Sequence, residues 1–269
     1  MLRETNLDGV KSIARMLLMT PVHKTPYSPA VVQHPFTSCG IASLNKDGKF
    51  QLLDITAKEE DLKIWQEFMK SKIEGAENVW GIYAFINKPY GLTFLKFSEP
   101  HLSKDEFSKL LADAWVRSEN PNDDPNFTKR DLIAMFKRAD KQALMTEEDY
   151  NRWQDLEKSL TVYRGVTPHN EKNIRALSWT LDAEKAEWFA MRFGENGKVY
   201  QAEIDKKDIY AYFGGRGESE VIVEPKGLQD ITLVEEIEQT IEGVNNAALI
   251  IGQRLDYRDY RDYRDYKNR

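Results

Sequence analysis

Apolar residues recur at helical spacing near the N-terminus and again after residue 58. The stripe of the first predicted helix consists of Leu7, Val10, Ile13, Ala14 and Leu17. This helix should end before Pro21, and a second helix is predicted from about Lys58 to Lys72. Between them, the proline-rich stretch 21–38 is expected to form an ordered loop.

Two apolar runs then follow with a turn-like segment between them. Residues 79–86 and 92–97 are predicted as strands, joined by Asn-Lys-Pro-Tyr-Gly at 87–91. With the two helices before them, these strands predict an α/β organisation for the first hundred residues.

Helical spacing returns between residues 103 and 158. Ser103 with Glu106 is predicted to form a capping box, in which each side chain satisfies a free amide at the helix start. Thr128 and Asp131 are predicted to open another helix, and each pair precedes an apolar stripe. A loop rich in Asn, Asp and Pro separates these two helices at 118–126, and a third helix is expected from about Thr146 to Lys158.

After residue 160 the pattern changes to short apolar runs separated by turn residues. Six strands are predicted, at 161–166, 176–180, 199–204, 209–213, 220–224 and 231–235. The overall class is α+β, with a smaller N-terminal region (1–100), a sheet-based domain with flanking helices (101–245) and a polar tail (246–269). The tail repeats Asp-Tyr-Arg, so we expect it to be solvated and disordered, with an interaction role as the alternative.

Composition narrows the functional classes. A length of 269 residues with 41% hydrophobic content allows one or two domains. A net charge of -6 argues against general affinity for nucleic acid, so a macromolecular partner is expected to be a protein.

A single cysteine excludes an intrachain disulfide, the four histidines lack ligand spacing, and no metal is expected. No segment has the about 20 apolar residues that cross a bilayer, so the default location is cytoplasmic, without membrane contact.

The most specific local feature is Glu218-Ser219-Glu220, which enters the apolar run Val-Ile-Val. In an extended strand, residues two apart point to the same side, so the two carboxylates are expected side by side. Such a pair suits an electron-poor partner, such as the oxocarbenium-like transition state of glycosyl transfer. The alternative is a solvated pair at the start of a strand.

Polar residues on two earlier strands extend this feature. Arg164, inside an apolar strand, is costly unless it meets a carboxylate or a phosphate, and Gly165 permits close approach of a ligand to the backbone. Ser178 and Thr180 are again two apart, so both hydroxyls face one side of their strand.

In order, the motifs Tyr-Arg-Gly (163–165), Ser-Trp-Thr (178–180) and Glu-Ser-Glu (218–220) resemble the R-S-E class of mono-ADP-ribosyltransferases. The resemblance covers about residues 160–230 and implies an ADP-ribosyltransferase-like mixed β-sheet and NAD as co-substrate. It implies that Arg164 grips the phosphate and ribose portion of NAD and that the backbone of Gly165 holds the nicotinamide amide. Ser178 would contact the nicotinamide ribose and orient the catalytic glutamate, and Thr180 would support the strand.

The same resemblance separates the two glutamates. Glu220 would bind the ribose 2′-hydroxyl and stabilise the oxocarbenium ion, and Glu218 would position or deprotonate the acceptor. A Glu-x-Glu motif in this class accompanies modification of arginine, and the glycine-rich stretch 213–217 looks like the target-contacting loop. This implies an enzyme that modifies a protein target, as a toxin or phage-type effector does.

The middle motif departs from the commonest family form, Ser-Thr-Ser, by placing Trp179 between the hydroxyls. This leaves Trp179, Phe189 and Phe193 as candidates for stacking on nicotinamide. For Trp188 and Phe189, packing on the sheet as part of an apolar helical stripe is the favoured interpretation.

Two other functions share these residues. An NAD glycohydrolase would use water as the acceptor and depend little on Glu218. A non-catalytic binding protein would keep the fold and occupy a partner through its acidic surface.

Overall fold

The computed structural model describes residues 4–26, 28, 30–46, 49–124, 126–192 and 196–237. The chain divides into two compact units, with the border between Thr146 and Glu147. The predicted tail, 246–269, lies outside the described residues. Among the helices that the structure describes, none is long and apolar enough to cross a membrane.

The first unit is mainly helical and carries two small antiparallel sheets. Its helices are α1 (Leu7–Leu18), α2 (Glu59–Glu74), α3 (Val79–Tyr83), α4 (Gly91–Ser98), α5 (Lys104–Arg117), α6 (Lys129–Arg138) and α7 (Lys141–Leu144). Its strands are β1 (His23–Lys24), β2 (Val31–His34), β3 (Thr37–Cys39), β4 (Ile41–Lys46) and β5 (Lys49–Asp54). The sequence prediction of α1 and α2 is confirmed, whereas the expected loop at 21–38 contains the three-stranded sheet β1–β3.

The strands predicted at 79–86 and 92–97 are wrong, because the first segment contains α3 and the second lies within α4. The side chain of Asn78 caps α3 by accepting a hydrogen bond from the Gly81 N–H, which starts a helix where the apolar pattern alone indicated a strand. Helix α4 packs against α1 and α5, so it is apolar on nearly all sides. A short helix buried in this way has the same continuous apolar run as a buried strand.

The border predicted at residue 100 falls inside the first unit. Helix α5 packs its apolar stripe against α4 and α7, which ties the helices after residue 100 to the N-terminal residues. Ser103 caps α5 by accepting a hydrogen bond from the Glu106 N–H, but the reciprocal half of the predicted capping box is replaced, because the Ser103 N–H donates to the Thr5 hydroxyl. Thr128 with Asp131 forms a complete capping box.

The second unit is built on one six-stranded antiparallel sheet. Its elements are α8 (Glu147–Gln154), β6 (Ser159–Val166), β7 (Ser178–Thr180), α9 (Ala183–Ala190), β8 (Gly197–Asp205), β9 (Ile209–Phe213), β10 (Glu220–Val223) and β11 (Gln229–Ile237). The strand order is β11-β8-β6-β7-β10-β9. All six strands predicted after residue 160 are confirmed, and the protein is mixed α+β with antiparallel sheets.

The two faces of this sheet are packed differently. One face carries the main core of the unit, which includes Val162 on β6, Trp179 on β7, Ala202 on β8 and Val221 on β10. Helix α9 covers part of the other face, where Ala186 and Ala190 pack against Val199.

Two glycines let α9 approach the sheet. A Cβ atom at Gly165 would lie 1.9 Å from the Ala186 carbonyl oxygen, and one at Gly197 would lie 2.0 Å from the Ala190 carbonyl oxygen. Since both obstacles are backbone atoms of the helix, they cannot rotate away. Only glycine fits at these two positions while the helix keeps its place.

Replacing Gly165 with alanine should therefore lower the free energy of unfolding by about 3 kcal/mol or more. The added methyl group would overlap helix backbone atoms, which no side-chain rotation can move away. The measurement is the free energy of unfolding in urea. Gly215→Ala is the matched control, because nothing lies within 4 Å of a Cβ built there. Equal stability of the two variants would contradict the close packing of α9.

His34 is fully buried in the first unit. Its Nδ1 accepts a hydrogen bond from the Phe36 N–H (3.1 Å), and its Nε2 lies 3.3 Å from the Leu18 carbonyl oxygen. Protonation of Nδ1 would remove the first of these hydrogen bonds. Burial lowers the pKa of His34 below its ordinary value of 6.5.

This shift predicts a loss of stability in mild acid. Below about pH 6.5 the unfolded chain binds a proton at residue 34 that the folded protein excludes, so the free energy of unfolding falls with decreasing pH, with a slope of at most about 1.4 kcal/mol per pH unit. Unfolding in urea between about pH 7 and about pH 5 measures the slope. His34→Gln should flatten it, whereas the exposed control His169→Gln should not.

Candidate functional site

Glu220 is the first residue of β10 and lies between two neighbouring strands. The register places it opposite Thr180 of β7 on one side and opposite Phe213 of β9 on the other. Its side chain is buried, with 7% of the residue exposed. A carboxylate in such a place is costly unless polar groups meet it.

Ser178 supplies one of those groups. The Ser178 hydroxyl donates a hydrogen bond of 2.5 Å to Glu220 Oε1. The register pairs Ser178 with Ile222, so Ser178 and Glu220 are diagonal neighbours on the same face of β7 and β10. The short strand β7 therefore delivers a hydroxyl to the glutamate.

Arg164 is buried in the sheet, with 8% of the residue exposed. Its Nη1 donates a hydrogen bond of 2.5 Å to the Ser178 carbonyl oxygen. Because Tyr163 is opposite Thr180, alternation puts the Arg164 side chain on the other face of the sheet from the Ser178 hydroxyl. Arg164 thus meets the backbone of β7, and in this way holds the strand that carries Ser178.

The Ser-Trp-Thr motif has one member in the core. Trp179 is 2% exposed, belongs to the main core, and its Nε1 donates to the Ala176 carbonyl oxygen (3.1 Å). A ring buried so deeply presents no face for stacking, so we assign Trp179 to the core. The requirement for glycine at position 165 is likewise explained by the approach of α9.

Thr180 holds the chain on the other side of the motif. Its hydroxyl donates to the Glu218 carbonyl oxygen (2.6 Å) and accepts a hydrogen bond from the Asp182 N–H (3.0 Å). The Leu181 N–H donates to the Ser219 carbonyl oxygen (3.1 Å). These bonds attach the segment before β10 to the end of β7.

The expectation that Glu218 and Glu220 belong to one extended strand is wrong. Strand β10 begins at Glu220, and Ser219 has φ of 44°, in the left-handed region that non-glycine residues rarely adopt. Alternation along a strand therefore does not relate the two side chains, because the chain turns between them.

Glu218 belongs instead to the loop 214–219, where its carboxylate forms an ion pair with Arg216. Its Oε2 lies 2.7 Å from Arg216 Nη2, and 17% of the Glu218 side chain is exposed against 42% for Arg216. The loop is closed by a hydrogen bond from the Gly217 N–H to the Gly214 carbonyl oxygen (2.8 Å), and Gly217 has φ of 63°. Glycine adopts this positive φ without the steric cost that a Cβ atom would add.

The sequence did not identify two residues that shape this region. Asp149 of α8 accepts a hydrogen bond from the Gly214 N–H (2.9 Å), which anchors the start of the loop. Phe213 lies beside Glu220 on β9 and is 7% exposed. The sequence gives neither residue a distinctive signal, because an acidic residue in the first turn of a helix and an aromatic residue in a strand are both common.

The aromatic residues of α9 differ from the expectation. Trp188 and Phe189 are half-buried and meet edge to face, with ring centroids 5.0 Å apart. Packing on the sheet is left to Ala186 and Ala190, because the helix lies too close to the glycines for larger side chains. Phe193 lies outside the described residues.

No group of three His, Cys, Asp or Glu side chains suited to a metal ion occurs in the described part of the chain.

The bond between Ser178 and Glu220 can be measured without any assumption about function. In a double-mutant cycle of Ser178→Ala and Glu220→Gln, we expect a coupling of about 1–2 kcal/mol in the free energy of unfolding, because the bond joins a hydroxyl to a buried carboxylate. Additive effects of the two substitutions would show that this bond contributes nothing.

Comparisons with known proteins give no independent assignment for these residues. No protein-family model matches the chain, and searches of curated proteins and of solved structures found no match.

Proposed function

We propose that the protein is an NAD-dependent mono-ADP-ribosyltransferase that modifies a protein target on arginine and releases nicotinamide. The observation that carries the proposal is the hydrogen bond from Ser178 to the buried carboxylate of Glu220, with Arg164 bound to the carbonyl of the same serine. The order of Arg, Ser and Glu along the chain resembles the R-S-E class. We include an ADP-ribosyltransferase-like fold for the second unit in the proposal.

Glu220 would do the central chemistry. When nicotinamide leaves, positive charge develops on the ribose at C1′ and on its ring oxygen, and a nearby carboxylate stabilises that charge. A carboxylate fixed by Ser178 needs little reorganisation during the reaction, which is the main source of electrostatic catalysis. Contact with the ribose 2′-hydroxyl would orient the sugar over Glu220.

The first proposed role of Arg164 is to hold Ser178 in position. Its hydrogen bond to the Ser178 carbonyl supports a role in holding the hydroxyl toward Glu220. Because alternation puts its side chain on the other face of the sheet from the Ser178 hydroxyl and Glu220, the described contacts support this positioning role. A contact of Arg164 with the NAD phosphates, and the contact of the Gly165 backbone with the nicotinamide amide, stay predictions from the resemblance.

Glu218 would bind the guanidinium of the acceptor arginine. A carboxylate orients a guanidinium through charge-assisted hydrogen bonds and accepts its proton as the new bond forms. The ion pair of Glu218 with Arg216 supports this assignment, since the carboxylate already binds a guanidinium at 2.7 Å. Arginine is therefore the proposed acceptor class.

The same ion pair favours one alternative, an NAD glycohydrolase. If Arg216 keeps Glu218 occupied, an external arginine cannot bind there and water becomes the acceptor. The two functions share Glu220 and differ in their dependence on Glu218.

Glu220→Gln should remove NAD cleavage. The amide keeps the shape but lacks the charge that stabilises the sugar cation, so we expect at least about a 10²-fold loss of both nicotinamide release and transfer. Nicotinamide is measured by chromatography, and transfer is measured with labelled NAD and a cell lysate. Glu235→Gln, the same change on the exposed edge strand β11, is the control and should retain activity. Equal labelling by Glu220→Gln and the unchanged protein would refute the proposal.

Glu218→Gln should separate transfer from hydrolysis. Loss of the carboxylate that orients and deprotonates arginine should abolish labelling of protein while nicotinamide release continues, because water needs no such help. The ratio of label on protein to nicotinamide released is the measurement. An unchanged ratio would contradict the role of Glu218 in transfer, whereas nicotinamide release without protein labelling by the unchanged protein would favour the glycohydrolase.

A further inference from the structure

Arg216 lies where an acceptor arginine would have to lie if Glu218 positions the acceptor. It is two residues from Glu218 in the chain, and its Nη2 is 2.7 Å from Glu218 Oε2. This is the distance of a charge-assisted hydrogen bond, the interaction proposed for the guanidinium of a target protein. The guanidinium of a target and that of Arg216 would therefore compete for one carboxylate.

Arg216 is exposed to solvent, and the loop that carries it is anchored at both ends. Its side chain is 42% exposed, so the guanidinium borders solvent. The flanking Gly215 has open space around it, and Gly217 adopts a positive φ that suits glycine. The loop is nevertheless held at Gly214 by Asp149 and at Glu218 by Thr180. The arginine is thus carried on a short, adaptable segment between two anchors.

We infer that Arg216 is itself an ADP-ribose acceptor and is modified in cis. This inference rests on the proposed function and adds a substrate to it. A carboxylate and a guanidinium held in one loop have an effective concentration far above that of a protein in dilute solution, so the internal arginine competes well with external ones.

The step balances as an ordinary N-glycosidic transfer. An Nη nitrogen of Arg216 forms a bond to C1′ of the nicotinamide ribose while the bond from C1′ to the nicotinamide nitrogen breaks. The electron pair of that bond leaves with neutral nicotinamide. The proton lost from Nη passes to the Glu218 carboxylate and then to water. NAD is the only co-reactant.

Modification would change the site for later turnovers. An ADP-ribosyl group on Arg216 adds two phosphates and a bulky nucleoside next to Glu218, which would block the position of a second guanidinium. Automodification would therefore limit transfer to other proteins while leaving Glu220 in place.

The test is mass spectrometry of the full-length purified protein after incubation with NAD. We expect one ADP-ribosyl group on the peptide that contains Arg216, and we expect Arg216→Lys to lose that adduct because it lacks a guanidinium. Arg152→Lys is the matched control, since Arg152 is an exposed arginine on α8, and this variant should keep the adduct on Arg216. An adduct at other sites only, or an undiminished adduct in Arg216→Lys, overturns the inference.

Two further measurements make the outcome specific. Nicotinamide release and labelling of agmatine, a small guanidine, report the proposed function separately, so agmatine labelling without an adduct on Arg216 rejects the inference and keeps the transferase. Absence of any nicotinamide release rejects both. In a mixture of active protein with tagged Glu220→Gln protein, modification in cis leaves the tagged chain unlabelled, and its labelling at an equal rate contradicts the inference.

Discussion

The register between β7 and β10 is the constraint on which the candidate site depends. It places Thr180 opposite Glu220 and thereby puts Ser178 within hydrogen-bonding reach of the carboxylate. The period of a strand is two, so a slip of one residue would exchange Glu220 with Val221 and bury the carboxylate in the main core. The apolar residues on the core face, Trp179 and Val221 among them, make that slip costly. Packing of the core therefore enforces the polar contact on the opposite face.

A second constraint acts through the helix that covers this face. Helix α9 packs so closely on Gly165 and Gly197 that its buried side chains are alanines. This leaves the larger side chains Trp188 and Phe189 at the border of the helix, half-buried. A glycine inside a ligand-binding motif can thus be required by helix packing alone, and a strand glycine does not by itself indicate a ligand.

The loop before β10 combines fixed and adaptable parts. Asp149 and Thr180 hold its two ends, whereas Gly215 and Arg216 are exposed. Because the Arg216 guanidinium borders solvent, another guanidinium can replace it and keep the charge-assisted hydrogen bond to Glu218. For the proposed transferase, the two carboxylates are therefore supported differently: Glu220 is held by the sheet and Glu218 is carried by the loop.

The sequence by itself determined the strands of the second unit, because their short apolar runs are separated by turn residues, and it singled out Arg164, Ser178, Glu218 and Glu220. It misassigned the strands at 79–86 and 92–97, since a helix buried on nearly all sides loses the periodicity that distinguishes it from a strand. Only the tertiary structure decided which residues meet: that Ser178 bonds to Glu220, that Arg164 binds the backbone of β7 and that Trp179 belongs to the core. The reason is physical, because strand register and the turn at Ser219 depend on contacts between segments distant in sequence, which local patterns do not encode.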